Sequence, residues 1–272
     1  MRSPNSIWLW FFALAWMSVS LLGADAAPGE SRQRVAFPDP RLEVCGLPGF
    51  KEDKPVLRRL PLRLKDQFRP AVWSLAQAPS GGRIRFRTDS ITVGLVAENP
   101  DFSNMHHMAS VGENGFDLYV GRDYLGSAWP DAAGKIVKEW TIGPERKMRD
   151  VTLYLPLYKA VAVHELNLDA NARLESPTPY DATHPIVYYG SSITQGGCAS
   201  NPGGACQAIL ERKTDSQRHQ FAFAQLLFEP LLVRAVTRQP TLELYERSAL
   251  CAREGTDAQQ NSYDKPAAHC PD

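Results

Sequence analysis

Residues 186–197, IVYYGSSITQGG, set an unbroken apolar run against a glycine, two serines and a glycine pair. The run Ile186, Val187, Tyr188, Tyr189 carries no polar alternation, as expected of a parallel strand covered on both faces. Gly190, Gly196 and Gly197 then permit a tight bend, and ACQAILER (residues 205–212) supplies helix-forming residues at apolar spacing. Strand, glycine turn and helix open an α/β unit. Inside it Ser192 leaves the strand among small neighbours. A serine hydroxyl is a weak nucleophile, so catalysis requires it to be reachable by substrate and close to a base. Backbone N–H groups around such a bend can also face a developing oxyanion. A serine that only caps the turn before a helix is the plain structural alternative.

Upstream the pattern is different. RIRFRT (residues 83–88) alternates strictly, with Ile84 and Phe86 on one face and Arg83, Arg85 and Arg87 on the other, the period of a half-buried strand. Similar short runs lie at 91–97, 116–120, 135–142, 150–157 and 161–168, separated by turn-forming stretches such as ENPD, GENG and WPDAAG. Many short strands without a helical period predict an antiparallel β-sandwich, placed at residues 55–175. The arginine row is expected on the wet face of an edge strand, with gripping of an anionic sugar as the functional alternative. Trp73, Trp129 and Trp140 read first as packing and second as platforms for sugar rings. Residues 27–54, rich in proline and charge, read as a leader, and residues 176–184 as a linker. The expected fold is therefore α+β with two domains: an N-terminal antiparallel β-sandwich followed by a partial flavodoxin-like α/β domain over residues 185–272.

Arg2 precedes an apolar run from Ile7 to Leu22, and Ala24, Asp25 and Ala26 follow at signal-peptidase spacing. Residues 1–26 read as a cleaved secretory signal, which predicts a secreted or periplasmic protein with no membrane contact after cleavage; an uncleaved anchor is the alternative. Thirty basic and thirty acidic residues cancel, so no electrostatic footprint for nucleic acid exists. Five cysteines (Cys45, Cys198, Cys206, Cys251, Cys270) permit two disulfides and include no C-x-x-C pair; the plainer reading is mostly buried free thiols with at most one bridge. His106 and His107 are adjacent, which on a strand would send them to opposite faces, and VHEL (residues 163–166) is not H-E-x-x-H. No metal or organic cofactor is expected. Oligomeric state is not legible.

YYGSSITQGG resembles the first block of the SGNH (GDSL-type) hydrolases, in which a glycine and a nucleophilic serine follow the first strand of a flavodoxin-like domain. GFDLY (residues 115–119) resembles the G-x-D-L-Y motif of the β-rich domain that precedes such hydrolases in one subgroup. The resemblance covers residues 55–210. It implies a nucleophile at Ser192, with its own N–H in one oxyanion position, and a secreted esterase acting on acylated carbohydrate or another small ester. Ser191 stands where the family more often has aspartate.

The later family blocks are not found. Eighteen of nineteen glycines precede Ala205, and the only later asparagine is Asn261. The one D-x-x-H, Asp181 to His184, precedes the serine; Asp264 and His269 are five apart with Pro266 between them. His219 lies in the polar stretch ERKTDSQRHQ, read as a solvated segment. About 90 residues after the linker are few for a doubly wound domain at ~30 residues per βαβ unit, so a truncated or frameshifted C-terminus is expected. Two readings follow: a serine esterase of this type, inactive if the acid–base pair is missing, or a non-catalytic carbohydrate-binding or structural β-sandwich carrying a hydrolase remnant.

Overall fold

The structure is a computed structural model that describes residues 32–222, with backbone alone at 182–185, 187, 189 and 216–222. Residues 1–26, read as a signal, and Asp264, His269, Cys251 and Cys270 lie outside the described residues.

Two antiparallel sheets pack face to face. One has strands β1 (Gln33–Ala36), β9 (Ala162–Leu168), β4 (Thr92–Glu98) and β7 (Lys135–Thr141), in that order. The other runs β10 (Leu174–Glu175), β3 (Arg83–Thr88), β8 (Arg149–Tyr154), β5 (Phe116–Val120), β6 (Asp123–Ala128), with β2 (Glu43–Cys45) also paired to β3. Alternate residues of both sheets, among them Ile84, Phe86, Leu95, Leu118, Leu153 and Leu166, meet in one core. The sandwich is thus as expected. It reaches further toward the N-terminus, however: β1 pairs with β9 and β2 with β3, and Leu42, Leu47 and Phe50 join the core, so residues 32–54 are part of the sheets rather than a leader. Strand β6 escaped the sequence reading because DYLGSA has no period. Its Tyr124 and Leu125 are exposed, and Gly126 sits at φ +140° beside a bulge.

After the sandwich, β11 (Ala182–Gly190) pairs in parallel with β12 (Ser216–Ala222). Between them lie helix α4 (Ser192–Gln195), a 3-10 turn (Pro202–Gly204) and helix α5 (Cys206–Thr214). This is the opening of an α/β domain. The stretch read as solvated is instead the end of α5 followed by β12, and His219 sits on that strand opposite Val187. No helix among the described residues is long and apolar enough to cross a membrane.

The arginine row is not on an edge. β3 has β8 along one side and β2 and β10 along the other, and its second face is covered by the connector and α5. Arg83 is 2 % exposed and Arg85 7 %. Arg83 Nε donates to the Tyr180 hydroxyl at 2.7 Å and lies 3.3 Å from Glu211 Oε1. Tyr180 donates to the same carboxylate at 2.8 Å, and Tyr154 donates to its other oxygen. Burial opposes charge on Arg83, but Glu211 overrides it and holds the guanidinium above its usual range. Burial pushes both phenols up, so they stay protonated and donate. Arg85 lies 3.8 Å from the Tyr180 ring centroid and donates to the Thr178 carbonyl at 2.9 Å. Thr178 in turn bonds Asp150 through both its N–H and its hydroxyl. The segment read as a linker is strapped to the sheet.

Removing one member of a buried ion pair strands the other. Glu211→Ala is expected to lower the unfolding free energy by about 3–5 kcal/mol in urea titrations. Cys45 gives a second check. Burial raises its thiol to about 11, so iodoacetamide at pH 8 should modify the exposed Cys198 and Cys206 in the native protein and spare Cys45.

Candidate active site

Ser192 is the first residue of α4, immediately after β11 and the extended Ser191. The bend is tight: a Cβ at Gly190 would lie 2.1 Å from Thr194 Oγ1, so a glycine is needed where the helix folds back over the strand end. Gly196, at φ +105°, ends the turn, and its N–H and that of Gly197 reach back toward the Ser192 carbonyl, Gly197 at 2.7 Å. Ser192 is half-buried, and its hydroxyl has no hydrogen-bond partner among the described residues. As the opening residue of the turn, its N–H has no intrahelical acceptor.

The sandwich holds this bend from below. Tyr158 donates to the Ser192 carbonyl at 3.0 Å, and burial raises its phenol, keeping the donor proton in place. Gln195 is fully buried: its side-chain amide donates to the Leu157 carbonyl at 2.8 Å, and its own carbonyl accepts from Ser80 Oγ at 2.7 Å.

The GFDLY stretch explains the next contacts. Phe116 and Leu118 point into the core, which sends Asp117 and Tyr119 out on the opposite face of β5. Asp117, fully buried, accepts from Ser127 Oγ at 2.5 Å, from Asn201 Nδ2 at 2.6 Å and from the Gly203 N–H at 2.6 Å. Burial raises its carboxyl, with these donors pulling the other way. Tyr119 packs so closely on the same loop that a Cβ at Gly203 would sit 2.4 Å from its ring. Arg212 closes the arrangement, 4.1 Å from the Tyr119 centroid and donating to the Gly203 carbonyl at 2.8 Å. Gly115 has its own reason: a Cβ there would meet the Val111 and Ala128 carbonyl oxygens at 2.4 and 2.6 Å.

Ser192 opens into a cleft of about 690 Å³. The α/β part contributes Ser192, Ile193, Gly197 and Cys198, and the rest of the wall among the described residues is sandwich: α2 (Pro70–Ala76) and the residues after it, the loop carrying Met105 to Met108, and Tyr158 to Ala160. His107 is exposed and lines the cleft, whereas His106 does not. Among the described residues no group of three His, Cys, Asp or Glu could hold a metal ion. Trp140 is core and Trp129 is 55 % exposed, away from the cleft. The D-x-x-H pair Asp181 and His184 falls at the start of β11, at the opposite end of that strand from Ser192.

Two family matches coincide with this geometry. Residues 41–174 match GxDLY, described as the N-terminus of Esterase_SGNH_hydro-type, and residues 183–224 match the GDSL-like Lipase/Acylhydrolase family. The chain is thus similar, in this order, to a GxDLY domain and to the opening of a GDSL-like domain. The second match runs past residue 210, where the resemblance read from the sequence ended. Among solved structures, a protein from Bacteroides ovatus described as a GDSL-like lipase is 25% identical, over 71% of this chain and 57% of its own, with a TM-score of 0.63. The salicylyl-acyltransferase SsfX3 of a tetracycline biosynthetic pathway is 21% identical, over 77% and 60%, with a TM-score of 0.61. This chain therefore spans less than two thirds of either. No curated protein matches it.

Sequence reasoning found Ser192 and the GFDLY stretch but not what the aspartate and tyrosine hold. The signal was present: one acidic residue between two core positions of a strand needs donors from somewhere. Asp117→Ala leaves the Gly203 N–H and the Asn201 amide without their acceptor. Hydrogen exchange at residues 201–205 should rise on the order of 10- to 100-fold, the equivalent of ~1–3 kcal/mol per stranded group, while the core strands stay protected.

Proposed function

We propose that the protein is a secreted serine esterase of the SGNH type that deacylates carbohydrate esters through an acyl-enzyme on Ser192. The observation that carries this is a serine hydroxyl with no hydrogen-bond partner among the described residues, at a strand-to-helix bend that opens into a cleft large enough for a small ester. In the first half-reaction Oγ attacks the ester carbonyl, its proton passing to a base. The tetrahedral oxyanion collapses with cleavage of the C–O bond, and the alcohol leaves with a proton. Water then attacks the acyl-serine, releasing the carboxylic acid and restoring the hydroxyl. The Ser192 N–H takes one oxyanion position. Asp101, His107 and Lys159, which line the cleft, offer partners for the hydroxyl groups of a sugar.

Secretion rests on the apolar segment and the small residues at 24–26, and N-terminal sequencing of exported protein should begin at Ala27. The chemistry is tested with 4-nitrophenyl acetate. Ser192→Ala is expected to cut hydrolysis by roughly 10³-fold or more without shifting the unfolding midpoint. Activity that survives the substitution removes Ser192 from the mechanism. Absence of activity in the parent protein favours the second reading, a non-catalytic sandwich with a hydrolase remnant, for which the lack of a D-x-x-H after Ser192 is the specific observation.

A further inference from the structure

We infer that the β-sandwich sets the acyl specificity of the Ser192 cleft, and that its apolar wall takes an acyl chain of about six carbons in preference to acetyl. This rests on the esterase reading above and adds the acyl class.

Leu75, Ala78, Met105, Met108, Tyr158 and Ala160 all line the cleft and all belong to the sandwich. Their positions come from separate loops held by independent contacts. The Met105 N–H donates to Glu113 Oε2 at 2.7 Å, and Glu113, fully buried, is also 3.4 Å from the Lys159 ammonium. Met108 packs with Leu157 and Ala205, against which Met105 and Tyr158 also lie. The wall is thus built rather than incidental. An acetyl methyl would cover little of it, whereas a longer chain running out from Ser192 would remove the half-exposed surfaces of Leu75, Met105 and Tyr158 from water. Each buried methylene contributes at most about a fourfold preference. Methionine adds tolerance of shape, since its thioether is flexible and polarizable.

Two measurements test this. The first is kcat/KM for 4-nitrophenyl acetate, butyrate and hexanoate, in the parent and in Met105→Gln and Leu75→Gln, both of which replace half-buried wall residues outside the catalytic bend. Hexanoate should exceed acetate roughly tenfold or more in the parent. Either substitution should reduce that ratio several-fold. The second measurement needs no catalysis. Cys198 lines the cleft and Cys206 is exposed outside it, so hexanoyl 4-nitroanilide, an unreactive amide, should slow iodoacetamide modification of Cys198 relative to Cys206, and acetyl 4-nitroanilide should not.

Ser192-dependent acetate hydrolysis without hexanoate preference and without Cys198 protection overturns the inference and leaves the esterase reading standing. Cys198 protection without hydrolysis of any ester supports the apolar wall and overturns the esterase reading. A hexanoate preference unchanged by both substitutions also overturns the inference, because the sandwich would then not be its source.

Discussion

A buried guanidinium cannot stand alone, and the arrangement of this molecule follows from where Arg83 finds its counter-charge. The partner is Glu211, which arrives 128 positions later on α5, with Tyr154 and Tyr180 completing the carboxylate's bonds. Desolvating both charges is costly, so the pair is weak evidence for net stability. Its strength is selectivity. In this seating of α5 on the six-stranded sheet, Glu211 meets the arginine and both phenols together.

Once α5 is seated there, the loop before it is confined between two anchors. Asp117 holds Asn201 and Gly203 from the sheet, while Tyr158, Leu157 and Ser80 hold the turn from Ser192 to Gln195. The serine thereby sits on a bend whose backbone is constrained on the sandwich side. Among the described residues, the same contacts make the sandwich the larger part of the cleft wall. A domain that carries no candidate nucleophile so becomes part of the candidate site.

Much of the fold was readable along the chain. Strict alternation located β3, β5 and β9, and the unbroken run after Pro185 announced a parallel strand. What was lost was lost for identifiable reasons. Residues 32–54 form short strands whose pairing partners are up to 135 positions away, as in Gln33 with Leu168, so no local period marks them. Within the stretch ERKTDSQRHQ, read as solvated because it is polar, Glu211 is covered because its partners Arg83, Tyr154 and Tyr180 lie on other segments. Ser192 was legible as a residue, since a glycine before it and a glycine pair after it are a local signature of a bend. Its neighbours in space were not.

Local chemistry along the chain decided the two periodicities, the positions where only glycine fits, and which residues of each strand share a face. Those depend on backbone geometry over a few residues. What covers each face depended on the packing of the whole. The arginine face of β3 has the same alternation as a solvated edge strand, and only the arrival of the connector and α5, bringing Tyr180 and Glu211, turned it into an interface. The same holds for Asp117: its direction followed from period two, but its bonds to Asn201 and Gly203, and with them the seating of the loop beyond Ser192, existed only after two distant segments met.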